Sequence, residues 1–119
     1  MVKDIRERTF DFAVLILRLS ESLMNSPRSM IIAKQLIRAG TSIGANVEEA
    51  TAALSRPDFA YKMGIALREA RETSYRLRIV KASGLLSSNE PEQIISEAGQ
   101  IARILGAIVS STRGKRKQP

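Results

Sequence analysis

The sequence predicts an all-α protein, an up-and-down antiparallel four-helix bundle. Three observations predict it. Apolar residues recur at three-and-four spacing through four long stretches, the pattern of amphipathic helices. Strand-like alternation is scarce in a chain with four prolines and seven glycines. The four stretches have comparable lengths and short links, which makes consecutive helices antiparallel neighbours. A chain of 119 residues that is 44% apolar is expected to form one domain with its own core.

The first helix is expected over about Ile5 to Met24. Phe10, Phe12, Val14, Leu15, Ile16, Leu17, Leu19 and Leu23 surround most of its circumference, leaving Asp11, Arg18 and Ser22 as a narrow polar wedge. So wide an apolar surface predicts burial against several helices. Asn25-Ser26-Pro27 is a turn, with Ser26 as N-cap and Pro27 at the first helical position of the next helix.

The second helix, centred on Met30 to Leu54, is the element the others are expected to pack around. Ile32, Leu36, Ile43, Val47, Ala50 and Leu54 fall on one face beside Gly40, with Arg38, Ser42 and Glu49 opposite. Met30, Ile31 and Ile37 lie off that stripe, and a helix apolar on more than one side has more than one packing partner. Gly40 and Gly44 each cost a helix about 1 kcal/mol relative to alanine. Close approach of a neighbouring helix is the expected compensation. A membrane Gly-x-x-x-Gly pair is disfavoured by Arg38, Glu48 and Glu49 close by.

Ser55-Arg56-Pro57-Asp58 is a link with capping-box spacing, aspartate replacing the usual glutamate. The third helix follows over about Pro57 to Ser83, with Phe59, Met63, Ala66, Ala70, Leu77 and Val80 as its core stripe. A second series, Tyr61, Ile65, Arg68, Glu72, Tyr75 and Ile79, repeats the helical spacing on another side. It reads as a subunit or ligand interface, the alternative being scattered surface apolars. Gly84 suits a C-cap, and Leu85–Pro91 is a loop. The fourth helix, about Glu90 to Thr112, has a single stripe of Ile94, Ala98, Ile101, Leu105 and Ile108.

Counting back from the link sets Arg38 level with Glu72 and Thr73, Ser42 with Glu69, and Asn46 with Ile65. Arg38 is therefore expected to pair with Glu72, within one subunit or across an interface.

Charge is uneven. The net charge is +7, and residues 113–119 hold Arg113, Lys115, Arg116 and Lys117 with no acid, leaving +3 for the rest. The expected organisation is a bundle domain over 1–112 and a basic disordered tail over 113–119, which could serve as a phosphate contact or as a solvated end. Arg68, Arg71 and Arg78 with Tyr75 form a second basic group, since arginine beside an aromatic suits phosphate and base stacking. A solvated charged face is the alternative.

The chain has no cysteine and no histidine. That excludes a thiolate zinc site, a disulfide framework and any histidine-dependent hydrolase within it. Glu48-Glu49 and Glu69-x-x-Glu72 are acid pairs, but a helical di-iron centre calls for Glu-x-x-His. No catalytic, cofactor or metal residue is expected. The early acids Asp4 and Glu7, Arg18 within the first apolar run and the short apolar stretches argue against a signal peptide or membrane span. A cytoplasmic protein is the expectation.

Two segments resemble a known family. Gln35-Leu36-Ile37-Arg38-Ala39-Gly40-Thr41-Ser42-Ile43-Gly44-Ala45-Asn46-Val47-Glu48-Glu49-Ala50 is similar to the core motif of the four-helix bundle proteins encoded in intervening sequences of bacterial 23S ribosomal RNA genes. Asp58-Phe59, then Ile65-Ala66-Leu67-Arg68-Glu69-Ala70-Arg71-Glu72-Thr73, then Tyr75 and Leu77, resemble its second motif, so the likeness covers roughly Phe10 to Leu86 in order. The resemblance implies an up-and-down bundle assembled as a homopentameric ring. It also implies kinship with the accessory protein of diversity-generating retroelements, a basic pentamer that binds nucleic acid and a reverse transcriptase. By position, Arg38, Ser42, Asn46, Glu49, Glu69 and Glu72 match the family's recurrent polar residues. Ala50 departs from the family's frequent glycine, and Arg76 from a tryptophan that many members carry.

The expected function is a non-enzymatic homo-oligomer that binds RNA or DNA through repeated basic surfaces. The alternative is a protein-interaction scaffold without nucleic-acid binding.

Overall fold

The computed structural model of the chain describes the backbone of residues 4–86 and 89–117, with side chains through Arg113. Four helices account for most of it: α1 Ile5–Glu21, α2 Pro27–Thr51, α3 Arg56–Ser83 and α4 Glu90–Lys117. No strand occurs among the described residues.

The caps follow the expected chemistry. Asp4 accepts from the Glu7 backbone N–H at 3.1 Å and starts α1. Ser26 accepts from Ser29 N–H at 3.2 Å ahead of Pro27, and Ser55 accepts from Asp58 N–H at 3.2 Å ahead of α3. These side chains satisfy amide donors that the first turn leaves without helical partners. Gly84 ends α3 at φ 73°, a left-handed backbone that glycine adopts without strain.

Three boundaries differ from expectation. The first helix stops at Glu21, not Met24, because the N–H groups of Leu23 and Met24 turn back to carbonyls three residues earlier before the extended Ser26 cap. α2 stops at Thr51, so Leu54 leaves the core stripe and stands fully exposed at the link. α4 continues to Lys117, past the expected end at Thr112, so backbone expected as a disordered tail is helical that far. Cations at the C-terminal end of a helix suit its dipole.

Each helix packs on two others in the cyclic order α1–α2–α3–α4, with no diagonal contact among the described residues. Ties between opposite ends of consecutive helices make these neighbours antiparallel: Thr9 with Gly44, Lys81 with Glu92, and, nearer the middle, Arg38 with Glu72. The core runs along the bundle axis. One cluster buries Phe12, Ile16, Leu19 and Leu23 of the α1 region, Leu36, Ile43 and Val47 of α2, Met63, Leu77 and Val80 of α3, and Ile101 and Leu105 of α4. Ala33, Ala66, Ala70 and Ala98 fill the spaces between these larger groups.

The two helical glycines have a packing reason. A Cβ on Gly40 would lie 2.9 Å from both γ carbons of Ile16, and one on Gly44 would lie 3.3 Å from the Thr9 carbonyl oxygen. The α1–α2 spacing therefore depends on two missing side chains. α1 buries only one side: Phe12, Ile16 and Leu19 are inside, whereas Phe10, Leu15 and Leu17 are exposed. The expectation of burial all round fails within one chain because α1 has only α2 and α4 beside it. On α4, Val109 is buried and the expected Ile108 is half-buried, a small rotation of the predicted stripe.

Candidate functional site

Two faces of α3 carry the residues singled out by sequence. The side toward α2 is a polar seam. Arg38 donates to Glu72 and, at 3.4 Å, from Nη1 to Oε1 of Glu69. Arg76 Nε donates to Oε2 of the same Glu72 at 3.1 Å. Asn46 Nδ2 donates to the Ser42 carbonyl at 2.9 Å and to Ser42 Oγ at 3.1 Å. Thr73, fully buried, returns its hydroxyl to the Glu69 carbonyl at 2.8 Å.

The Arg38–Glu72 pair lies within one subunit, at the register that counting from the link implies. Arg38 is half-exposed and Glu69 is mostly covered. Screening keeps such an ion pair to about 1 kcal/mol or less. Its larger effect is to hold α2 and α3 in one register while satisfying two carboxylates. Glu49, the remaining polar match, is exposed at the far end of α2.

The outward side of α3 differs in charge. Arg68, Arg71, Tyr75 and Arg78 are all exposed, and the Arg78 guanidinium carbon sits 5.6 Å from the Tyr75 ring centre. That separation is within cation–π range. None of the three arginines pairs with a carboxylate among the described residues, because Glu69 and Glu72 turn toward α2. Arg113 joins this face from α4: one of its terminal nitrogens lies 3.8 Å from where a Gly64 Cβ would stand. From Gly64 to Arg78 the row rises roughly 21 Å along the helix. The side chains of Lys115, Arg116 and Lys117 lie outside the described residues.

Of the second sequence series, Tyr61 and Tyr75 are exposed by 65% and 56%, while Ile65 and Glu72 are half-buried and Ile79 is at the border. The series borders the seam on one side and water on the other. Sequence reading missed Arg113's approach to Gly64. The signal was present only as a glycine on an otherwise decorated face.

The other two seams are structural ties. Arg8 grips Glu97 with two hydrogen bonds, of 2.8 and 2.9 Å, and reaches Gln100 at 2.7 Å. The bond to Glu97 raises the Arg8 pKa above its already high ordinary value. Lys81 meets Glu92 at 2.8 Å and holds that carboxyl below its usual range. Among the described residues no group of three or more carboxylates is placed to hold a metal ion, and no helix is long and apolar enough to cross a membrane.

The molecule is thus a four-helix up-and-down bundle with one neutralised polar seam and one unneutralised basic face. A family model described as 23S rRNA-intervening sequence protein matches residues 3–107. The chain belongs to the 23S rRNA-intervening sequence protein family. A solved structure, a protein of unknown function from the S23 ribosomal protein family of Bacteroides thetaiotaomicron VPI-5482, is 37% identical. The match covers 89% of this chain and 98% of that one, with a TM-score of 0.83. No curated protein sequence matches the chain.

Proposed function

We propose that this protein is a non-enzymatic homo-oligomer that binds RNA or DNA along the outward face of α3. The observation that carries the reading is the row formed by Arg113, Arg68, Arg71, Tyr75 and Arg78, which has no acid paired to it among the described residues. A guanidinium stacked on an exposed tyrosine offers both a phosphate partner and a surface for a base. The net charge of +7 adds long-range attraction for a polyanion.

Assembly is the second part of the proposal, and five copies is the number the resemblance implies. Supporting it are Phe10 and Leu17, one heptad apart on α1 and exposed by 64% and 51%, with Met24 in the turn beyond. Copies arranged in a ring would repeat the basic row and sum its potential.

The test is a titration of generic single-stranded RNA at several salt concentrations. Intact protein, protein ending at Thr112 and the double variant Arg68→Glu with Arg78→Glu are compared, with the mass in solution measured in parallel. Binding that weakens steeply with salt and is lost in the double variant is expected. Complete loss on removing residues 113–119, with the double variant unaffected, would confine binding to the tail. No binding by any form at low salt would favour the alternative, a protein-interaction scaffold whose exposed α1 apolar residues are its contacts. A monomer at all concentrations would remove the assembly part.

A further inference from the structure

A groove of about 360 Å³ opens between the start of α2 and the end of α3. Ile31, Ile32, Ile79 and Leu85 give it an apolar lining, and Arg28 and Arg76 also border it. Ile31 is 67% exposed, a large aliphatic group in water with unfilled space beside it. No acid lines the groove among the described residues.

Its electrostatics are one-sided for a reason written into α2. A helix N-terminus favours negative charge, yet the first turn of α2 holds no acid and carries Arg28. Arg28 pairs with no carboxylate among the described residues. Arg76 gives its Nε to Glu72, a carboxylate already shared with Arg38. The local preference for an acid at this corner is unmet within the chain.

We propose that this groove docks an amphipathic helix of another protein, with aliphatic side chains on one face and acidic residues flanking them. Arg28 to Gln35 spans roughly 10 Å of α2, which matches about two turns of an incoming helix. Its aliphatic anchors at three-and-four spacing enter beside Ile31 and Ile79, in the helix-in-groove mode. Its acids meet Arg28, the Arg76 terminal nitrogens and the positive end of α2. A contact of this size is transient, below the area of permanent interfaces.

The test uses the full-length protein and two labelled peptides of about four helical turns. Both carry leucines at three-and-four spacing; one has glutamates flanking them and the other lysines. Fluorescence anisotropy is expected to show saturable binding of the glutamate peptide, and about tenfold or weaker binding of the lysine peptide. Ile31→Ser and Arg28→Glu change exposed side chains, and each is expected to weaken the glutamate peptide by about tenfold while leaving helical circular dichroism unchanged, Ile31→Ser leaving RNA binding unchanged as well. Equal affinity for both peptides, no saturation, or indifference to Ile31→Ser would overturn the proposal. A fall in solution mass on Ile31→Ser would also overturn it, because the groove's occupant would then be a second copy of this chain.

Discussion

Glycines at two places on the bundle have opposite reasons to be glycine. Gly40 sits against Ile16, where a Cβ would come within 2.9 Å of both branches, whereas Gly64 has only an arginine tip at 3.8 Å. Alanine favours the helix by about 1 kcal/mol at either position. Overpacking costs about 1–3 kcal/mol in a filled core, so it wins at Gly40. Gly40→Ala is therefore expected to destabilise by about 1 kcal/mol and Gly64→Ala to stabilise by a similar amount, read as opposite shifts of the urea midpoint. Arg38 gives a third residue-scale expectation. Arg38→Met leaves Glu69, mostly covered, without its guanidinium, and a loss of about 1 kcal/mol is expected by denaturation. Unchanged stability would remove the register role assigned to the pair. That pair was legible in the sequence because a short link fixes which residues of two antiparallel helices face each other. Leu54 was misplaced for the opposite reason: spacing continues the stripe, but the link needs those residues for its turn.

At the scale of elements, starts were more legible than ends. Ser26 and Ser55 announce two starts because each supplies a particular hydrogen bond, and Gly84 is the one end marked in the same way, by its backbone angle. The end of α1 has no such residue, and the chain tightens into a turn before the next cap. The α2–α3 groove was legible only in fragments. Its lining comes from opposite ends of two helices, and its signals were Ile31 off the α2 stripe and Ile79 in the second series of α3. The α3–α4 corner offers a pH test. The hydrogen bond from Lys81 lowers the Glu92 carboxyl below its ordinary value, and both side chains are about half-exposed. A lowered folded-state pKa means that the pair's contribution is present above about pH 4.5 and disappears as acidification protonates Glu92. Thermal melts of the parent are expected to lose stability below that pH slightly faster than those of Glu92→Gln. Identical acid limbs would assign no role to the pair.

For the molecule as a whole, a narrow rod 53 Å long carries an unpaired basic row along the outward side of α3. The sequence conveyed the amount of charge and its residues. It did not convey that Glu69 and Glu72 face inward to α2 and are consumed there, which leaves the outer arginines without carboxylate partners among the described residues. Helical phase alone separates the two sets, but only the paired seam shows which side is neutralised. If the outward flank holds RNA, each of Arg68, Arg71 and Arg78 replaced by alanine should flatten the dependence of affinity on salt by about one counterion. Titrations at several ionic strengths check this; an unchanged slope would place the polyanion elsewhere.

Arg113 reaches α3 beside Gly64, so the cationic track is a composite of two chain segments held in phase. One additional alanine between Ser110 and Arg113 would turn everything downstream by about 100° around the α4 axis. The hydrophobic interior, upstream of that point, would keep its packing. Such an insertion would uncouple grip on a polyanion from folding, turning the screw pitch of α4 into a dial for affinity.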